Sequence, residues 1–387
     1  MPSPKKTVVK KDYNKLALTL HKKMKGKLSV VSKAPLKTKD DWSTMYTPGV
    51  GAVSMHLFKK PQDARQYTIK NNTVAVISDG SAVLGLGNLG PIAALPVMEG
   101  KCAIFQEMAE VDAFPIVLDT QDTEEIISTI KAIAPTFGGI NLEDISAPKC
   151  FVIEERLKQE LNIPVIHDDQ HGTAIVVLAG LINAAKVVGK KFDELNVVIV
   201  GAGAAGRAIA LILNKAGLSN IIITDSKGII YKGRSGLDGY KRHLSEITNQ
   251  GKLQGDVMTA VVGADVIVGV SGPGTIAKAH IEAMAEKPIV FALANPIPEI
   301  MPQDALQAGA AVVATGRSDF PNQVNNALAF PGLFKGALKS GVKSITDDMK
   351  IAVAKKIANL VKKPTADMII PSVMTEGLVK AVASAVK

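Results

Sequence analysis

The run Asn196-Val197-Val198-Ile199-Val200-Gly201-Ala202-Gly203-Ala204-Ala205-Gly206 decides how the chain folds. Its four consecutive β-branched residues read as a buried strand of a parallel sheet, and Arg207 to Lys215 continues as a helix. The glycines fall on the turn between them. There Gly201 permits the tight bend, Gly203 lets a pyrophosphate approach the backbone, and Gly206 lets the helix pack against the strand. With phosphates at a helix N-terminus, Gly201, Gly203, Ala204, Ala205 and Gly206 are the expected dinucleotide contacts. The next strand ends in Asp225, about 20 residues on, where a carboxylate accepts hydrogen bonds from the adenine ribose. A glycine-rich connector without a ligand is the alternative, and Asp225 argues against it. Because Asp225 would repel the extra phosphate of NADP, NAD is the expected cofactor; Ser226, Lys227 and Lys232 keep NADP open. A further turn, Ser271-Gly272-Pro273-Gly274, follows another apolar strand and brings Ser271 to the same edge.

Outward from this motif, apolar runs alternate with helical patterns. Val197–Val200, Ile221–Thr224, Val266–Val270, Ile289–Leu293 and Ala311–Ala314 predict the core strands of a doubly wound, Rossmann-type sheet. Toward the N-terminus, Thr73–Asp79, Pro115–Asp119 and Ile163–Asp168 predict strands of a second α/β unit, with helices over Thr123–Ile133 and Cys150–Leu161. Thr173–Val188 is apolar nearly all round, which suits a buried helix joining two domains. The fold class is therefore α/β with two domains, an N-terminal catalytic unit over residues 1–165 and a dinucleotide-binding unit over 166–387. The mixed apolar and charged segment Lys350–Lys387 reads as packing helices without chemistry.

Composition removes several other classes. The chain has 387 residues, 47% hydrophobic and 21% charged, an ordinary globular balance. Its net charge of +9 is concentrated at the start: residues 1–39 hold twelve lysines against Asp12, and the remainder has 33 basic and 35 acidic residues. With only 4% aromatics to stack on bases, an exposed basic start explains this charge better than a nucleic-acid surface does. No apolar run approaches the roughly 20 residues of a membrane span, and the lysine-rich start lacks the apolar segment of a signal peptide. Two cysteines, Cys102 and Cys150, make no disulfide framework, so a cytoplasmic setting is expected.

Two acidic patches stand where strands end or helices start, Asn141-Leu142-Glu143-Asp144 and His167-Asp168-Asp169-Gln170. Adjacent acids are common on surfaces, but carboxylates beside an apolar strand and a buried helix need compensation. A divalent cation would supply it, and oxygen donors suit magnesium or manganese better than zinc. His167 and His171 have helical spacing without a cysteine pair or HExxH pattern, so they read as hydrogen-bonding histidines rather than zinc ligands.

Several separate blocks resemble the malic enzyme family: Tyr46-Thr47-Pro48-Gly49-Val50, Leu84 to Gly90, Glu99-Gly100-Lys101, Asn141 to Ile145, His167 to Thr173, Ala294-Asn295-Pro296, Asn325-Asn326 and Phe330-Pro331-Gly332. Together with the dinucleotide loop they span residues 40 to 335 in the family's order, at the length of the short bacterial form. The resemblance implies oxidative decarboxylation of L-malate to pyruvate with reduction of NAD or NADP, aided by Mg2+ or Mn2+. It implies Tyr46 as general acid, Lys101 as general base tuned by Asp168, and Glu143, Asp144 and Asp169 as metal ligands. Asn295 and Asn326 would hold the substrate carboxylates, with Asn295 also near the cofactor. For Lys101 to act as a base it must be neutral, so burial or a cation is expected to lower its pKa.

One departure stands out: Val83 occupies the place where larger members carry an arginine for a malate carboxylate. The resemblance also implies a dimer or tetramer, with a homodimer expected, in which the tyrosine-bearing segment can complete a neighbour's site. The expected partners are malate and pyruvate, with no nucleic acid and no membrane. Alternatives on the same residues are oxaloacetate decarboxylation without a dinucleotide and malolactic conversion. A dinucleotide sensor without catalysis would need none of Tyr46, Lys101 or the acid clusters.

Overall fold

Apolar β-branched runs become strands at nearly every expected place, and they assemble into two sheets. The computed structural model describes residues 12–387; Met1 to Lys11, part of the basic start, lie outside the described residues. The first sheet contains β1 (Thr73–Ser78), β2 (Asp112–Val117), β3 (Gly139–Leu142) and β4 (Val165–His167) in the order β2-β1-β3-β4, all parallel. The second contains β5 (Val197–Val200), β6 (Ile221–Asp225), β7 (Gly228–Ile229), β8 (Val266–Gly269), β9 (Ile289–Ala292) and β10 (Val312–Thr315). Its order is β10-β9-β8-β5-β6-β7, parallel except for the short β7. The chain thus reverses its direction of travel across the sheet at β5, the position where doubly wound folds open a ligand crevice.

Two elements differ from expectation. β3 is not legible as a strand, because it is four residues long, follows Gly138 and runs straight into the acids. The joining helix begins at Asp168 rather than Thr173, so Asp168 and Asp169 form its first turn instead of ending a strand. Acids there face the positive end of the helix dipole. At 21 residues this helix is long and apolar enough to span a membrane by length and composition, although its polar opening keeps the apolar run itself shorter. However, 72% of its most apolar stretch is buried inside the fold. Its side chains Ile175, Leu178 and Leu181 belong to one continuous core with Val74 and Phe105 of the first unit and Val197 and Phe291 of the second. Gly189, in the left-handed conformation, ends it. The two sheets are therefore held on one shared helix.

Candidate active site

Each sheet delivers polar residues just past its strands. β3 runs into Glu143 and Asp144, β4 into Asp168 and Asp169, and the helix Pro91–Ala109, packed on β1 and β2, carries Lys101. Lys101 Nζ lies 2.5 Å from Glu143 Oε1 and 2.5 Å from Asp168 Oδ2, with the Phe330 ring centre at 4.5 Å. All three charged side chains are buried. Burial pulls the lysine pKa down, but the charges of Asp168 and Glu143 outweigh it and leave it above the ordinary value. This reverses the expected direction: burial acts as anticipated, and the convergence of acids around the ammonium overrides it.

Glu143, Asp144 and Asp169 each bring one carboxylate oxygen within 4.8 Å of the others. Burial, then the charge of Asp169, pushes the Asp144 carboxyl up to about 7, and burial likewise raises Glu143 against the pull of Lys101. Asp144 Oδ2 is buried without a hydrogen-bond partner, and the residue sits at φ +52°, a costly conformation for a side-chain-bearing residue. Asp144 N donates to Asp169 Oδ2 at 2.8 Å, so the two acids are held together through the backbone. Converging carboxylates with an orphaned oxygen fit a divalent cation, and an oxygen-only donor set fits magnesium or manganese.

Around this centre, Asn326 Nδ2 donates to Asp168 Oδ2 at 3.1 Å, while Thr173 Oγ1 donates to Asn326 Oδ1 at 3.0 Å. The groups open onto a cavity of about 770 Å³ that is also lined by Lys27, Ala205, Asn295 and Asn326. Ser271 lines both this cavity and a second of about 650 Å³, which contains Gly201, Gly203 and Asp225. A side chain at Gly201, where φ is +119°, would place its Cβ 2.5 Å from Val270 O, and one at Gly206 would lie 1.8 Å from Gly201 O. At Gly203 nothing lies within 4 Å, which leaves room for a ligand against bare backbone.

Residues 25–158 match the malic enzyme N-terminal domain family, and residues 170–387 match the malic enzyme NAD binding domain family. The chain belongs to the malic enzyme family. It is 52% identical over 373 residues to the bifunctional malic/malolactic enzyme of Bacillus subtilis, covering 96% of this chain and 91% of that one. It is 54% identical to the NAD-dependent malic enzyme of Geobacillus stearothermophilus, over 93% of this chain and 76% of the relative. The crystal structure of the NAD-dependent malic enzyme of Thermotoga maritima superposes with a TM-score of 0.93 at 47% identity, covering 96% of this chain and 98% of that one.

In this malic enzyme fold Lys101, Asp168, Glu143, Asp144, Asp169 and Asn326 come together, and Asn295 and Ser271 share the cavity wall. Tyr46 does not join them. It caps the helix Lys39–Met45, is 63% exposed and is absent from the cavity lining. Val83 is buried in the protein rather than lining the cavity. Asp225 is held by Arg234 Nη2 at 2.5 Å and Lys241 Nζ at 2.9 Å; Lys227 contributes its backbone N–H, and Lys232 does not line the cavity. Against the opposing effect of burial, these partners lower Asp225 to about 2.

Three residues were not singled out from sequence. Arg207 lies over the adjoining rings of Phe151 and Tyr240, 4.7 and 4.9 Å from their centres, on the wall of the second cavity. Glu299 accepts the backbone N–H groups of Ser271 at 2.8 Å and Ala294 at 3.0 Å, tying the loops after β8 and β9 together. Glu154 accepts His167 N at 3.0 Å, Gln170 Nε2 at 3.1 Å and His171 Nε2 at 2.9 Å, fixing the turn that presents Asp168 and Asp169. The one local signal was an acid inside an otherwise apolar helix face at Glu154; the other two depend on contacts distant in sequence.

Proposed function

We propose that this malic enzyme oxidises L-malate to pyruvate and carbon dioxide with reduction of NAD. The observation that carries the reading is Lys101, buried 2.5 Å from both Glu143 and Asp168 beside the cluster Glu143, Asp144 and Asp169, in a cavity that Ser271 joins to the glycine loop. Glu143, Asp144 and Asp169 would hold Mg2+ or Mn2+, and Gly201, Gly203, Ala204, Ala205 and Asp225 would hold the dinucleotide. When bound, the dication would polarise the substrate oxygens and lower the proton affinity of Lys101, and the dinucleotide would supply the hydride acceptor for carbon 2. Lys101 Nζ receives the proton of the 2-hydroxyl, and Asp168 and Glu143 hold the resulting ammonium. Asn295 and Asn326 orient carboxylates through their amide N–H groups, and Tyr46 Oη returns a proton to carbon 3 after carbon dioxide leaves.

For that last step Tyr46 comes from a second copy of the chain. None of the helices Tyr13–Met24, Lys39–Met45 and Val50–Lys59 buries a residue, and Trp42, Tyr46, Met55 and Phe58 are all more than half exposed. An exposed apolar face of this kind marks a protein contact, and a homodimer both covers it and brings Tyr46 to a neighbouring cavity. Asp225 supports NAD over NADP, because at the end of β6, on the wall of the second cavity, its carboxylate can accept from the free 2′-hydroxyl of the adenine ribose. The boundary between the substrate and dinucleotide units falls at residue 166. Two free, buried thiols, Cys102 and Cys150, suit a reducing cytoplasm.

The decisive assay supplies malate, Mn2+ and either dinucleotide and measures NADH, pyruvate and lactate. Pyruvate and NADH in equal amounts are expected. Lactate without NADH would identify malolactic conversion instead, and decarboxylation of oxaloacetate with no dinucleotide requirement would identify the non-redox reaction.

A further inference from the structure

Glu143, Asp144 and Asp169 line the cavity together with Lys101, which is already committed to Glu143 and to a fourth carboxylate, Asp168. A bound dication still leaves negative charge in excess, and a dicarboxylic acid then adds two charges more. In a cavity poorer in water than the bulk, that repulsion opposes binding unless another cation faces the substrate. Among the described residues lining the cavity, the cationic or protonatable nitrogen side chains are Lys101, His21 and Lys27. His21 directs Nδ1 to Ala17 O of its own helix at 2.7 Å.

Lys27 is placed differently. It lies in the segment after the helix Tyr13–Met24, where its backbone N–H donates to Glu99 Oε2 at 3.1 Å and its Nζ donates to Pro96 O at 2.7 Å. Those contacts press the ammonium against the bare backbone of Gly100, where an added Cβ would lie 3.4 Å from Nζ. Pro96, Gly100 and Lys101 all line the same cavity. An ammonium has three donors, and among the described residues only Pro96 O accepts from this one. Lys27 therefore keeps spare donors beside the residue next to Lys101.

We propose that Lys27 grips the second carboxylate of the substrate and so selects dicarboxylic over monocarboxylic 2-hydroxy acids. This rests on the reading of the cavity as a malate site. It assigns to a different element the charge that Val83 does not provide.

The test uses Lys27→Met and Lys27→Arg of the full chain with Mn2+ and saturating NAD, and L-lactate as a competitor that has the hydroxyl and first carboxylate but lacks the second. Loss of a charged hydrogen bond is expected to raise the malate KM about 10- to 100-fold in Lys27→Met, with a smaller change in kcat. The inhibition constant of lactate should stay at the wild-type value, and Lys27→Arg should recover most of the malate affinity. A malate KM unchanged in Lys27→Met, or lactate inhibition weakened in parallel with it, overturns the proposal. If methionine unfolds the segment, Lys27→Gln, which retains N–H donors without the charge, carries the same comparison. Failure of the wild-type protein to oxidise malate would instead count against the functional reading. In that event, calorimetry of malate and lactate binding to the Mn2+-loaded protein still tests Lys27.

Discussion

Lys101 carries charge where an isolated ammonium would be expelled, and two carboxylates at 2.5 Å hold it there. Remove it and both partners become uncompensated buried charges. Lys101→Ala is therefore expected to lower unfolding free energy by about 3–5 kcal/mol and turnover by about 10²–10⁴-fold, read by urea unfolding and the malate assay. Lys101→Arg separates the two effects, because a guanidinium can keep the ion pairs but does not give up its proton. Stability should return and activity should not; an active arginine variant would remove the proton-accepting role. The acids beside it govern the pH response of metal binding, since burial raises both Glu143 and Asp144. Asp144, pushed up to about 7 by burial and by Asp169, must lose its proton before it can ligate a cation. Mn2+ affinity is expected to weaken as the pH falls through about 7. Calorimetry across that range checks this, and a flat profile would contradict it.

At the scale of elements, the helix Asp168–Val188 does two jobs with one sequence. Its first turn presents Asp168 and Asp169, and its remaining turns are core. Gly172 sits at the change from one to the other: an added Cβ would lie 2.1 Å from Asp168 Oδ1 and 3.2 Å from Asn326 Cβ. Gly172→Ala must therefore displace the carboxylate that holds Lys101, and a misplacement of about 1 Å can cost about 10²-fold in rate. The expected result is a folded protein by circular dichroism whose kcat/KM falls by that order. The pairing of Asp168 with a glycine four residues later was present in the sequence, yet it read as a helix start near Thr173. The first turn is stabilised by Glu154, which accepts His167 N and Gln170 Nε2 from a different helix, and no local pattern reports that.

At the scale of the whole molecule, the clustered carboxylates and the glycine loop occupy the carboxyl ends of two separate sheets joined by one buried helix. Tyr46 lies outside this arrangement, on the exposed apolar face formed by the helices near the N-terminus. If it serves a second copy, mixing inactive Tyr46→Phe and Lys101→Arg proteins rebuilds one intact site in each mixed dimer, so activity should return to about a quarter of the wild-type level after exchange. No recovery despite mass-spectrometric evidence of mixed dimers would place Tyr46 and Lys101 in the same chain. By itself the sequence determined the two α/β units, the dinucleotide turn and the two acid clusters. Strand periodicity, glycine turns and runs of like charge are properties of neighbouring residues. Only the tertiary structure decided that acids rather than burial dominate around Lys101, that Tyr46 faces outward, and that Lys27 rests against Gly100. Each of these follows from distances between residues far apart in the chain, and electrostatic energy depends on those distances rather than on order along the sequence.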